Sequence, residues 1–173
     1  MTIATCTTSD LDRVAEVLAL MDAAFAGDFS AEDWEHALGG VHALAVIDGR
    51  VCAHAAVVPR TLWIDDRPMR GGYVEAVAVL PELQRQGLGT AVMRAIAPAV
   101  ADYQIGALST AEHRFYERLG WQRWRGRTWV RTDSGVVRTE EEDDGIMVLT
   151  TPLSPALSID GDIVCRDRLG DAW

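Results

Sequence analysis

A glycine-containing turn lies between a strand pattern and a helix pattern. It runs from Gln84 to Thr90, and Gly87 and Gly89 leave its backbone open to close approach by a ligand. The free N–H groups and the positive dipole at a helix start favour an anion such as pyrophosphate, and Arg85 can add a charge-assisted contact. A Rossmann dinucleotide site is disfavoured because the third glycine of that motif is missing. The alternative is an ordinary glycine turn.

Two further side chains are suited to proton transfer. Glu75 is the acid within an apolar strand pattern from Tyr73 to Val79, where a carboxylate is costly unless it has a partner or a function. It is a candidate general base, and the alternative is a carboxylate on the exposed face of a strand. The hydroxyl of Tyr116 is protonated at neutral pH, because its reference pKa is about 10. It is a candidate acid, and the alternative is a packing role on a helix.

Hydrophobic periodicity predicts the elements that hold these groups. Asp48-Gly49 is typical of a two-residue hairpin turn, and Pro81 should end the strand that contains Glu75. Strands are predicted at 2–8, 41–47, 50–58, 71–80, 103–108, 121–124, 128–131 and 146–151, and helices at 91–101 and 110–119. This order predicts an α/β fold in which helices cover a mixed sheet, as a single domain over residues 1–173.

Two more helices are predicted near the N-terminus from capping patterns. Ser9 with Asp12 and Ser30 with Asp33 each have the spacing of a capping box. The first helix should end at Gly27, and the second at 39–40. The buried stripe expected on the first helix consists of Leu11, Val14, Leu18, Met21 and Phe25.

Composition excludes several classes of protein. No apolar run approaches the roughly 20 residues that span a membrane, and the first ten residues lack a signal-peptide pattern. The three cysteines are odd in number and lack CxxC spacing, which disfavours disulfides and zinc and favours a cytoplasmic location. The net charge of -10 argues against nucleic acid or an anionic membrane as a partner. No metal site is expected.

Two segments resemble the signatures of the GNAT acetyltransferases. Gln84-x-x-Gly87-x-Gly89 is similar to their pyrophosphate-binding motif, and 115–121 is similar to their second, tyrosine-bearing motif. The resemblance implies the GNAT acyl-CoA N-acyltransferase fold, with a mixed, largely antiparallel central sheet flanked by helices. It implies acetyl-CoA as co-substrate. The coenzyme-binding residues would be Val77, Val79, Gln84, Arg85, Gln86, Gly87, Leu88, Gly89 and Thr90.

The GNAT resemblance also assigns roles in acetyl transfer. The amine must lose a proton before it attacks, and the leaving thiolate must gain one. Glu75 would be the base, directly or through water, and Tyr116 the acid. The backbone of Val77 would lie near the thioester carbonyl and stabilise the developing oxyanion. No cysteine lies in a nucleophile motif, so direct transfer is favoured over an acyl-enzyme.

Other segments resemble the aminoglycoside 2'-N-acetyltransferases from Ala24 onwards. They are 24–30, 33–36, 54–57, 72–75, 103–109, 143–145 and 170–173. The resemblance implies transfer to the 2'-amine of an aminoglycoside, antibiotic resistance and, as in many GNAT enzymes, a homodimer. The residues that would contact the substrate are Asp28, Asp33, Glu75, Ser109, Asp143, Asp171 and the terminal carboxylate of Trp173.

Several alternatives stay open from the sequence. The segment from Ser109 to Tyr116 is shorter than in that family, which leaves the position of transfer less secure than the reaction. The acceptor can instead be a kasugamycin-like aminosugar, a polyamine or a protein amine. A chain that binds coenzyme A without catalysis is the alternative from another class. Glu140, Glu141 and Glu142 are expected to be solvated surface acids.

Overall fold

The computed structural model describes residues 1–173, which form two compact units. The first unit consists of Met1–Val58 and Val74–Ala99. The second consists of Pro59–Tyr73 and Val100–Trp173. The single domain expected over residues 1–173 stays a prediction.

The first unit has a sheet in the order β1-β2-β3-β4. The pairs β1–β2 and β2–β3 are antiparallel, and opposite Ala45 and Val46 of β2 the strand β3 has one extra residue, Cys52, which forms a bulge. Two long strands, β3 and β4, contribute residues to both units. Its elements are β1 (Thr2–Thr7), α1 (Val14–Ala24), α2 (Ala31–His36), β2 (Val41–Ile47), part of β3 (Arg50–Ile64), part of β4 (Arg67–Val79) and most of α3 (Leu88–Ala101).

Two hairpin turns set the register of these strands. Asp48 and Gly49 have φ angles of 49° and 81°, as a type I' turn requires, which confirms the predicted hairpin. A second two-residue turn joins β3 and β4, where Asp65 and Asp66 have φ angles of 47° and 62°. The predicted strand at 50–58 is buried from Val51 to Val58 and continues to Ile64. This continuous apolar run makes β3 a central strand.

The N-terminal helix differs from its prediction. No capping box forms at Ser9; instead Thr8–Asp10 is a 3-10 turn, and α1 begins only at Val14. Leu18 and Phe25 are exposed, at 38% and 40% of their surface, so the predicted stripe was wrong at these two positions. The buried residues of α1 are instead Val17, Leu20 and Met21, which lie together on one face of the helix.

The second predicted capping box is confirmed at the start of α2. The Ser30 hydroxyl accepts a hydrogen bond from the Asp33 backbone N–H at 3.1 Å, and the Asp33 carboxylate accepts one from the Ser30 N–H at 2.8 Å. The box satisfies backbone donors that a helix start leaves without internal partners. It fixes the position of Asp33, a predicted substrate contact.

The second unit adds one helix and six strands, which are β5 (Ile105–Ser109), α4 (His113–Glu117), β6 (Gln122–Arg123), β7 (Thr128–Thr132), β8 (Gly135–Arg138), β9 (Ile146–Thr150) and β10 (Ile163–Arg166). The sheet has the order β6-β9-β5-β4-β3-β10-β7-β8. The pairs β4–β5 and β10–β7 are parallel, and β5–β9, β6–β9, β7–β8 and β10–β3 are antiparallel.

Sequence periodicity missed two of these strands. β8 has the burial pattern of an exposed edge strand, and β10 is only four residues long, so neither gives a strong period-two signal. Conversely, the helix predicted over 110–119 is reduced to α4, residues His113–Glu117. No helix of the chain is both long and apolar enough to cross a membrane.

Candidate active site

The glycine turn before α3 has a backbone suited to an anion. A 3-10 turn at Pro81–Leu83 ends β4, and Arg85 and Gly87 then have φ angles of 61° and 89°. A Cβ placed on Gly87 would have no heavy atom within 4 Å, so this side of the turn is open. The first N–H groups of α3 have no carbonyl partner within the helix and can donate to a ligand.

Side chains of the same turn brace its backbone. Gln84 Nε2 donates to the Val79 carbonyl at 3.4 Å, and Gln86 Nε2 donates to the Glu82 carbonyl at 3.2 Å. Arg85 is exposed, which leaves its guanidinium accessible to a phosphate. The turn and helix start therefore suit an anion, and the binding of the coenzyme A pyrophosphate by Gln84 to Thr90 stays a prediction.

The strand β4 is irregular at the predicted base. Glu75, Ala76 and Val77 are all half-buried, whereas Val74 and Ala78 on either side are buried. Ala76 has a φ of 51°, a left-handed conformation that costs a non-glycine residue roughly 1–2 kcal/mol. The carbonyl of Ala76 accepts a hydrogen bond from His54 Nδ1 at 2.7 Å. This local kink directly follows Glu75 in the chain.

The predicted acid, Tyr116, is enclosed on α4. It is 7% exposed, and its ring makes edge contacts with Phe115 and Trp121 at centroid distances of 4.8 and 6.2 Å. Burial, together with the negative charge of Glu112, raises the pKa of the Tyr116 hydroxyl above its usual value. The phenol therefore stays protonated at neutral pH, which is the state that an acid needs.

The second unit brings together Ser109, Glu142 and Asp171. Burial, Asp171 and Glu141 raise the pKa of the Glu142 carboxyl, and a hydrogen bond with Ser109 opposes this. Ser109 Oγ and Glu142 Oε2 lie 3.2 and 3.6 Å from the place where a Cβ on Gly145 would stand, so both side chains lie beside this glycine. We call these three residues the acidic cluster.

The expectation that Glu140, Glu141 and Glu142 are all solvated surface acids is wrong for Glu142. Glu140 and Glu141 are exposed, but the 3-10 turn Glu140–Glu142 directs Glu142 into a half-buried position. The sequence did not predict the position of Glu142, because nothing in a run of identical acids indicates which of them becomes buried. The neighbouring Gly145, inside the segment that resembles the acetyltransferase family, was the available signal.

Asp143 and Trp173 have partners within the chain. Asp143 pairs with both Nη atoms of Arg138 and accepts from the N–H and hydroxyl of Thr128, each at 2.9 Å. The pairing with Arg138 lowers the pKa of the Asp143 carboxyl. The buried indole of Trp173 donates to Thr139 Oγ1 at 3.1 Å, and its main-chain oxygen accepts from Arg168 Nη2 at 3.3 Å. Contact of either residue with substrate stays a prediction.

Asp28 and Asp33, the other predicted contacts, lie in the first unit. Asp28 is exposed and follows Ala26 and Gly27, whose φ angles are 54° and 87°. The carboxylate of Asp33 accepts the capping bond of α2, so that part of its hydrogen-bonding capacity is already used. No group of three or more His, Cys, Asp or Glu side chains is placed to hold a metal ion.

Structural comparison identifies the fold. A GNAT family N-acetyltransferase from Escherichia coli, solved in complex with CoA, is similar with a TM-score of 0.69 at 16% identity, over 98% of this chain and 93% of that one. A GNAT family acetyltransferase from Brucella melitensis, solved with acetyl-CoA, has a TM-score of 0.62 at 20% identity, over 94% of each chain. Identities this low show a shared fold alone.

Sequence comparison identifies the family. A family model described as an acetyltransferase (GNAT) domain matches residues 4–124. An aminoglycoside 2'-N-acetyltransferase from Mycolicibacterium fortuitum is 46% identical over an alignment that covers 96% of this chain and 89% of that protein. The expected fold class, a mixed sheet flanked by helices, is confirmed by these matches. The chain therefore belongs to the GNAT acetyltransferases and, among them, to the aminoglycoside 2'-N-acetyltransferase family.

Proposed function

We propose that this protein transfers the acetyl group of acetyl-CoA to the 2'-amine of aminoglycoside antibiotics and thereby confers resistance. The observation that carries the proposal is the 46% identity to an aminoglycoside 2'-N-acetyltransferase over 96% of the chain. The open glycine turn before α3 supports the use of acetyl-CoA, because its free N–H groups and Arg85 suit a pyrophosphate.

The proposed chemistry is direct attack by the amine on the thioester. Glu75 removes a proton from the substrate ammonium, directly or through water, so that the nitrogen lone pair can attack. A carbon–nitrogen bond forms and the carbon–sulfur bond breaks. Tyr116 gives its proton to the departing thiolate. The proposal assigns the phenol this role because its raised pKa keeps it protonated.

The acidic cluster supports a cationic acceptor. Glu142 is half-buried and Asp171 is exposed; burial and the negative charge of Asp171 both raise the pKa of the Glu142 carboxyl. A bound ammonium group would relieve the repulsion between the two carboxylates and donate a charge-assisted hydrogen bond to each of them. Ser109 adds a hydroxyl beside Glu142. Of the predicted substrate contacts, the proposal therefore relies most on Ser109 and Asp171, with Glu142 added.

The function can be tested by thiol release. Purified protein is incubated with acetyl-CoA and a panel of aminoglycosides that have or lack a 2'-amine, together with kasugamycin, a polyamine and an N-terminal peptide. We expect free thiol to appear with the 2'-amino compounds and not with matched compounds that lack this amine. Release with another class of amine alone would contradict the proposed acceptor. Binding of CoA without release from any amine would favour a non-catalytic protein.

The acidic cluster gives a separate prediction. Glu142→Gln should raise the KM for a 2'-aminoglycoside by about tenfold, because a charge-assisted hydrogen bond to the substrate becomes a neutral one. The KM for acetyl-CoA should not change. Steady-state kinetics at saturating acetyl-CoA would measure this effect. Glu140→Gln is the matched control, since it removes the same charge from an exposed neighbour. Equal KM values for the two variants would remove Glu142 from the substrate site.

We also propose a cytoplasmic homodimer with no nucleic-acid or membrane partner. All three cysteines are free, as is usual in a reducing compartment. The net charge of -10 disfavours binding to polyanions. Val136 and Val137 on the edge strand β8 are 46% and 52% exposed, and an exposed apolar edge favours pairing with another chain.

A further inference from the structure

Two fully buried histidines form a continuous hydrogen-bonded chain across the first unit. His42 on β2 and His54 on β3 are both 0% exposed, and His42 Nδ1 lies 3.0 Å from His54 Nε2. At one end, Thr8 Oγ1 lies 2.7 Å from His42 Nε2. At the other end, His54 Nδ1 lies 2.7 Å from the carbonyl oxygen of Ala76 on β4. The proposed mechanism uses neither histidine.

The donor and the acceptor of each hydrogen bond in this chain follow from the carbonyl oxygen of Ala76 at its end. A carbonyl oxygen can only accept, so His54 carries its proton on Nδ1. The Nε2 of a neutral His54 is then an acceptor, and His42 must donate to it from its own Nδ1. The Nε2 of His42 accepts in turn from the Thr8 hydroxyl. Burial lowers the pKa of His54 to about 4 and also lowers that of His42, which keeps both rings neutral.

The chain ends at the strained residue of β4. Ala76 holds a φ of 51° inside a strand, and its neighbours in sequence are Glu75 and Val77. Such a conformation persists only where the surroundings impose it. The imidazole of His54 supplies a fixed donor, because His42 and Thr8 hold it from the other side. Trp34 packs near both rings, at centroid distances of 6.1 and 6.2 Å, and limits their rotation.

We propose that His54, oriented by His42 and Thr8, is a positioning residue that fixes the kink at Ala76 and so aims the carboxylate of Glu75 at the substrate amine. This inference rests on the proposed function, since it concerns the orientation of the proposed base. A proton cannot pass from His54 to Glu75 through a carbonyl oxygen. The effect is therefore on geometry, and a small misplacement of a reacting group lowers kcat far more than substrate binding.

The test compares two amides at position 54. The amide nitrogen of asparagine can occupy the place of the imidazole Nδ1, whereas that of glutamine reaches the place of Nε2. We expect His54→Gln to lower kcat roughly 10- to 100-fold with little change in either KM, and His54→Asn to recover most of the loss. Cys52→Ala is the control for stability, because Cys52 is buried on the same strand but lies outside the hydrogen-bonded chain. It should leave kcat close to that of the wild type.

The kcat values of these variants decide whether His54 positions Glu75. Equal kcat values for His54→Gln and wild type, or equal losses in the glutamine and asparagine variants, would overturn it. If the wild type itself releases no thiol with any amine, the proposed function fails while the histidine chain can still be judged. Nitrogen-15 NMR of the wild-type rings should then show both histidines protonated on Nδ1 alone. A proton on Nε2 of His54 would overturn the arrangement whether or not the variants fold.

Discussion

Replacement of Glu75 by glutamine is expected to lower kcat by about 10²-fold or more, the contribution typical of a positioned general base. Glutamine keeps the size and hydrogen-bonding shape of the side chain but cannot take a proton from an ammonium group. The Kd for acetyl-CoA should change little, because the proposed coenzyme contacts lie in the turn from Gln84 to Thr90. Stopped-flow or steady-state thiol release, together with calorimetric titration of CoA, would measure both quantities.

Loss of negative charge alone must be separated from loss of the base. Glu16→Gln is a suitable control, because Glu16 lies in the same unit and pairs with Arg13 at the surface. An exposed pair of this kind contributes little to stability, so the variant should keep the wild-type kcat. A Glu75→Gln enzyme with unchanged kcat would show that another group, or bulk water, removes the proton.

The second large effect is expected for Tyr116→Phe. Phenylalanine keeps the aromatic contacts with Phe115 and Trp121 but removes the hydroxyl that we propose protonates the thiolate. We expect kcat to fall roughly 10²-fold, at the lower end of the range for a positioned acid, because a thiolate of pKa near 8.5 is already a good leaving group. Presteady-state measurement of acetyl transfer would separate this step from product release.

The pH profile provides a check on the same assignment. Burial raises the pKa of Tyr116, so the wild-type rate should not fall between about pH 7 and about pH 9 through ionisation of this phenol.

The control for Tyr116→Phe is Tyr103→Phe, which removes a hydroxyl from a partly buried tyrosine that packs against Arg70. Similar kcat values for Tyr116→Phe and wild type would place the acid elsewhere.

Much of the fold could be predicted from short sequence patterns. The turn at Asp48-Gly49 and the capping box of Ser30 and Asp33 could be predicted because each depends on a few adjacent residues. The glycine turn before α3 was predictable for the same reason, since positive φ at Gly87 and an open helix start are local properties. The prediction was wrong for α1, whose buried face contains Val17 and Leu20 and not Leu18 or Phe25, because tertiary packing decides which of several apolar faces is covered.

By itself, the sequence determined the glycine turn before α3 and the order of most elements, and it proposed Glu75 and Tyr116 as candidates for proton transfer. Only the tertiary structure decided which members of distant segments meet. It placed Glu142, one glutamate of a charged run, beside Ser109 and Asp171. It also joined His42 and His54 to the carbonyl of Ala76, a contact between three strands. The physical reason is that capping and turn formation depend on neighbours in the chain, whereas burial and long-range hydrogen bonds depend on packing that no local pattern encodes.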